Sequence, residues 1–227
     1  MRTGQYAPIL TIQNLAITYN QGEWNERVVI KDTGLTLNSG DLVILRGANG
    51  SGKSTFIRAL SGDLSNVEIS GKVLLDGEDL FSQTTVKRAS NIGIIDQDPT
   101  LGTCANLLVH EQLSLAGKDV AKRIMEKIED MGSSIDLRQS IQSLSGGQRQ
   151  LLTTLLVLER NPRLLLADEP TAALDPVFNK KINALLEERV AIRHGATIVI
   201  THAENEPEGH ESIRKFSLDN GKLVETQ

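Results

Sequence analysis

The string Gly47-Ala48-Asn49-Gly50-Ser51-Gly52-Lys53-Ser54 constrains this chain more than any other feature. It follows an apolar run, residues 41–46, that reads as a buried strand. It leads into a helical segment over 53–61, with Gly62 where a C-cap glycine belongs. The glycines let the backbone curl so that successive N–H groups point inward, a geometry that suits phosphate oxygens. The helix start adds its positive dipole end. The spacing fits the P-loop pattern. On that pattern the backbone of Gly47, Asn49, Gly50, Ser51 and Gly52 forms the cradle. Lys53 reaches the β- and γ-phosphates, Ser54 offers a hydroxyl to Mg2+, and Thr55 adds a hydroxyl toward the α-phosphate.

The rest of the chain supplies strands and helices in alternation. Residues 9–18 and 28–37 are rich in β-formers, and 71–75 ends in the turn signal Asp76-Gly77. Residues 91–95, 163–168 and 196–201 read as further strands. The tail carries a strand at 213–218, the hairpin pair Asn220-Gly221 and a last strand. Residues 107–131 have helical spacing with no strand signal, and Phe178, Ile182, Leu185 and Ile192 fall near one face of another helix. The alternation predicts an α/β fold with a mostly parallel sheet covered on both faces.

Two further strings stand out. Residues 164–169 form an apolar strand that ends in Asp168 and Glu169. Ligands of doubly wound sheets sit at the carboxyl ends of strands, so Asp168 is expected to face the Mg2+ held by Ser54. Glu169 is placed to orient or deprotonate an attacking water. Leu144-Ser145-Gly146-Gly147-Gln148 precedes a helix-compatible segment. Ser145 reads as an N-cap, and the two glycines leave backbone N–H groups bare, a second anion-binding helix start.

With these three strings in order, the chain resembles the ATP-binding cassette (ABC) ATPases over nearly its whole length. The resemblance implies a P-loop NTPase core with an N-terminal antiparallel β subdomain and a helical insertion. It treats 1–227 as one nucleotide-binding domain, about 1–97 and 159–227 core and about 98–158 helical. It places Tyr19 as the aromatic that stacks on adenine, Gln97 as the glutamine that touches Mg2+ and the attacking water, and His202 at the γ-phosphate. Glu169 becomes the base. Ser145, Gly147 and Gln148 would contact the nucleotide of a second cassette paired head to tail, and Asp175 would contact that partner. The cofactors implied are ATP and Mg2+. The partners implied are a second ABC subunit, the same chain or a related one, and an integral membrane permease that binds around residues 97–115. The implied place is cytoplasmic, peripheral on the cytosolic face of the cell membrane.

Stretches such as Gln97-Asp98-Pro99 with Leu101-Gly102-Thr103 resemble ATPases of importers with branched-chain-amino-acid-like permeases and a substrate-binding protein, some assigned to aromatic amino acids. A soluble cassette in iron–sulfur assembly, DNA repair or translation is the alternative reading. Composition bears on it: the chain has seven aromatics and a net charge of 24 − 29 = −5. Such a chain lacks the stacking platforms and the basic field of a nucleic-acid reader, so no nucleic-acid partner is expected. The lone Cys104 is expected to be a small, buried or half-buried hydrophobe.

Overall fold

A computed structural model describes residues 7–62, 67–172, 174–192, 195–201, 206–207 and 213–226. The chain opens with a sheet of four antiparallel strands, ordered β2-β1-β4-β5. These are β1 (Leu10–Tyr19), β2 (Arg27–Leu37), β4 (Val67–Leu75) and the short β5 (Glu78–Asp79). β4 starts four residues earlier than the sequence suggests. Gly71 looks like a strand breaker, but it sits opposite a bulge in β1. There Asn14 is left-handed at φ 51°, and a Cβ on Gly71 would lie 2.6 Å from the Asn14 carbonyl carbon. Glycine therefore lets the strand pass the bulge.

The second sheet has six strands in the order β10-β9-β3-β8-β7-β6. β3 (Leu42–Arg46), β8 (Ala196–Ile200), β7 (Leu164–Asp168), β6 (Ile92–Ile95) and β9 (Ile213–Asp219) run parallel. β10 (Lys222–Thr226) pairs antiparallel with β9 across the left-handed pair Asn220-Gly221. The expected mostly parallel sheet is present. Successive residues of β7 point to opposite faces. Leu164 and Leu166 join α1 (Lys53–Ser61) and the antiparallel sheet in one core, while Leu165 and Ala167 join α5 (Gly146–Glu159) and α6 (Pro176–Ala191) in the other. Both faces are thus covered.

Between β6 and β7 the chain is helical: α3 (Val109–Ala116), α4 (Lys118–Asp130) and α5. The single helical stretch read from 107–131 is two helices, because Gly117 at φ 100° and ψ 154° turns the chain between them. A short helix α2 (Thr85–Asn91), capped by the Thr84 side chain, precedes β6 and buries no residue, so it carries no apolar stripe to read.

Two sequence expectations fail on exposure. Ile192 is the C-cap of α6 and is 67% exposed, since the helix ends before that turn reaches the core. Cys104 is exposed, on the irregular stretch before α3. Its thiol is therefore expected to react fully with Ellman's reagent in the native protein; titration only after denaturation would contradict this placement. Phe56 of α1 lies fully buried in the core shared with the antiparallel sheet. Phe56→Ala is expected to destabilise the fold by about 3–5 kcal/mol, read from the denaturant midpoint.

Candidate functional site

The parallel strands β3, β8, β7 and β6 end along one edge of the sheet, and the sequence-selected residues gather there. β3 is buried along four of its five residues and delivers the chain straight into the glycine loop. That loop is tightly held. A Cβ on Gly47 would lie 2.6 Å from the Leu218 carbonyl oxygen of β9, and one on Gly52 2.5 Å from Cγ1 of Val29 of β2. Both glycines also have positive φ, 149° and 105°. Gly50, at φ 77°, has open space around it and needs glycine for its backbone angle alone.

Lys53 opens α1 and is only 8% exposed. Its ammonium folds back over the loop and donates to the carbonyls of Gly47 at 2.8 Å and Ala48 at 3.1 Å. No side chain caps α1, so the N–H groups of its first turn are left for another acceptor. The Ser51 hydroxyl is buried and has no hydrogen-bond partner among the described residues. An uncapped helix start, a buried ammonium and an unpaired hydroxyl suit a phosphate.

Beside the loop is a cavity of about 550 Å³. Tyr19, Asn49, Gly50 and Gly52 line one part of it, and Lys53, Ser54, Thr55 and Glu169 line another. The Tyr19 hydroxyl lies 3.4 Å from the Thr55 hydroxyl, which joins the end of β1 to α1. Asn20, Asn25 and Arg27 also line this cavity and were not among the expected site residues. Arg27 is paired opposite Tyr19 across β1 and β2, and donates to the Gly50 carbonyl at 3.2 Å. The signal available for Arg27 was its place at the start of a strand that returns past Tyr19.

Asp168 ends β7, and burial raises its carboxyl above the ordinary carboxylate range. A hydrogen bond from Ser54 opposes that shift, while the charges of Glu169 and Asp96 add to it and Arg58 opposes it. Asp96 was also missed. β6 and β7 are parallel neighbours, with Ile95 opposite Ala167, so Asp96 and Asp168 emerge side by side. Glu169 has a left-handed backbone at φ 47°, a strained conformation for a non-glycine residue of the kind that collects at functional sites. Its N–H donates to the Ile200 carbonyl at 2.9 Å, which fixes the turn.

The remaining expected residues lie elsewhere. Gln97 is exposed at the bend after β6 and is not among the residues lining the cavity. Ser145 caps α5 as expected: its hydroxyl accepts from the Gln148 N–H at 3.2 Å, and Gln148 Oε1 accepts from the Ser145 N–H at 3.0 Å. This reciprocal capping box, with Gly147 beside it, is separate from the cavity. Asp175 caps α6, accepting from the N–H groups of Val177 and Phe178. His202 lies outside the described residues. A second cavity, about 590 Å³, opens between α2 and β6 on one side and α3 to α5 on the other. Exposed Ile94, Leu101 and Leu115 line it, with Arg88 and Arg160.

Fold and site together define a P-loop nucleotide-binding protein. Residues 30–172 match the family described as ABC transporter. The chain is 33% identical over 208 residues to a "Tyrosine transport ATP-binding protein" of Clostridioides difficile, covering 86% of this chain and 82% of that one. It is 32% identical over 220 residues to a "Putative ABC transporter ATP-binding protein" of Bacillus cereus, covering 94% of this chain and 39% of that one. Among solved structures, a dimeric post-hydrolysis state of the ATP-binding cassette MJ0796 with ADP and Pi superposes with a TM-score of 0.80 at 25% identity, covering 96% of this chain and 98% of that one. The chain belongs to the ABC transporter family and is an ATP-binding, ATP-hydrolysing subunit.

A carboxylate whose proton affinity is raised in the fold destabilises the protein progressively as pH rises above the ordinary titration range of Asp. Asp168→Asn is therefore expected to raise the melting temperature of the nucleotide-free protein at pH 7, with the gain vanishing in acid. A lower melting temperature at pH 7 would contradict the burial argument.

Proposed function

We propose that this chain is the motor of an ABC importer, in which two cassettes close head to tail over ATP and drive a separate permease. The observation that carries the site assignment is the convergence of Lys53, Ser54 and Glu169 on the cavity that Tyr19 flanks. Tyr19 stacks on adenine. The N–H groups of the 47–52 loop and Lys53 hold the phosphates. Ser54 and Asp168 offer hard oxygen donors, and together with Gln97 they would hold Mg2+. When bound, Mg2+ supplies charge neutralisation for the phosphates. Glu169 takes the proton of the attacking water, and His202 contacts the γ-phosphate. Most of the catalytic effect then comes from positioning and charge stabilisation.

Ser145, Gly147 and Gln148 are separate from this chain's own cavity, which supports their service to a second cassette's nucleotide. The exposed apolar groove of Ile94, Leu101 and Leu115 lies where the helical segment meets the core. It is the surface we assign to the permease. Among the described residues no helix is long and apolar enough to cross a membrane. The substrate we favour is an amino acid of the aromatic class, in line with the name of the Clostridioides difficile relative, delivered by a substrate-binding protein.

Glu169→Gln is expected to lower turnover by about 10²–10⁴-fold while ATP still binds and holds a dimer. Turnover at the parental rate would remove the role given to Glu169. In cells, Leu101→Asp combined with Leu115→Asp is expected to move the chain from the membrane fraction to the soluble fraction, with the purified chain's ATPase rate kept within about twofold. Unchanged membrane fractionation would favour a different docking surface.

A further inference from the structure

The first turn of α5 is set directly on a side chain of α6. A Cβ on Gly147 would lie 2.5 Å from Cγ of Phe178 and 2.9 Å from Cε2 of its ring. A Cβ on Gly146, one residue earlier, would meet nothing within 4 Å. Of this glycine pair, Gly147 is the one whose missing side chain permits a close contact within this chain. The Phe178 ring is partly buried against the core formed by α5, α6 and β7. Its backbone N–H donates to the capping Asp175 carboxylate at 3.1 Å. The Lys181 ammonium lies 4.7 Å from the ring centroid and donates to the Ser133 hydroxyl at 2.6 Å. The next residue, Ser134, accepts from Gln148 Nε2 through its carbonyl at 2.9 Å. Phe178 thereby closes a ring of contacts between the start of α6 and residues 133–148.

The other end of this arrangement reaches the site edge. The turn after Glu169 is closed by hydrogen bonds from Ala172 N–H to the Glu169 carbonyl and from Leu174 N–H to the Thr171 carbonyl. It ends at Asp175, the cap of α6. One aromatic ring thus stands between the Ser145–Gln148 turn and the segment that follows the strained Glu169. We propose that Phe178 is a positioning residue for ATP hydrolysis. Its ring sets the angle at which the start of α5 is presented, and ties that angle to the turn carrying Glu169. The proposal rests on the head-to-tail reading, in which these two parts of one chain serve different nucleotides. A rigid connection between them makes each site sensitive to closure of the other.

The experiment uses full-length protein in a Glu169→Gln background, so that ATP is held. Phe178→Ala, Phe178→Leu, Gly147→Ala and the Phe178→Ala/Gly147→Ala double variant are compared with that parent. Both Phe178 variants are expected to bind ATP within about twofold of the parent, because their own cradle is untouched, yet to require about tenfold more protein for ATP-driven dimerisation by sedimentation. A loss of fold alone would lower ATP binding as well, and Phe178→Leu keeps most of the apolar volume. Gly147→Ala is expected to lower the melting temperature alone and to lose most of that penalty when combined with Phe178→Ala. Dimerisation of Phe178→Ala at the parental protein concentration, or additive melting effects in the double variant, would overturn the proposal. A parent that stays monomeric with ATP would overturn the head-to-tail reading, and the proposal with it.

Discussion

The close approach of two strands to one loop governs this site. Leu218 of β9 and Val29 of β2 reach the 47–52 loop so closely that neither Gly47 nor Gly52 could carry a methyl group. The loop is held by the central sheet on one side and by the antiparallel sheet on the other. That grip lets Lys53, only slightly exposed, fold across the loop carbonyls, and it leaves the first N–H groups of α1 turned to the cavity. Backbone donors fixed in advance lose little freedom when an anion arrives. The C-terminal hairpin is therefore part of the site although none of its side chains lines the cavity. The Gly221 carbonyl at its turn accepts from the Lys31 N–H at 2.7 Å, which fastens β9 and β10 to the same strand that carries Val29.

Electrostatics at the sheet edge are arranged against the resting protein. Asp96, Asp168 and Glu169 gather at the ends of adjacent strands, and burial already disfavours the charge on Asp168. Glu169 adds backbone strain. Each feature destabilises the protein without ligand, and a bound cation would offset the crowded carboxylate charge, so stability is exchanged here for a poised site. An acidic chain can bind a highly charged nucleotide on these terms, because local N–H groups and one buried ammonium outweigh net charge at close range.

Much of the site was legible because it depends on local spacing. The glycine loop, Lys53, Ser54, the acidic pair at 168–169 and the Ser145 cap each follow from residues a few positions apart, and each is found in the expected local structure. Arg27 and Asp96 were not legible. Arg27 reaches the cavity only because β2 returns past Tyr19, and Asp96 stands beside Asp168 only because β6 and β7 are neighbours in the sheet. Cys104 and Ile192 failed for a related reason. A hydrophobic residue's type gives a tendency to be buried, whereas its exposure depends on where the helix ends or how the loop runs.

The sequence by itself determined the strand–loop–helix unit around Lys53, the alternation that makes the central sheet parallel, and the hairpin at Asn220-Gly221, since backbone angles and hydrophobic period are local properties. It also carried the two glycines at 146 and 147 without distinguishing them. The tertiary structure decided that one of them faces open space while the other lies against Phe178. It likewise decided which strand ends share an edge. Those outcomes depend on residues tens of positions apart coming within contact distance, and only packing of the whole chain brings them there.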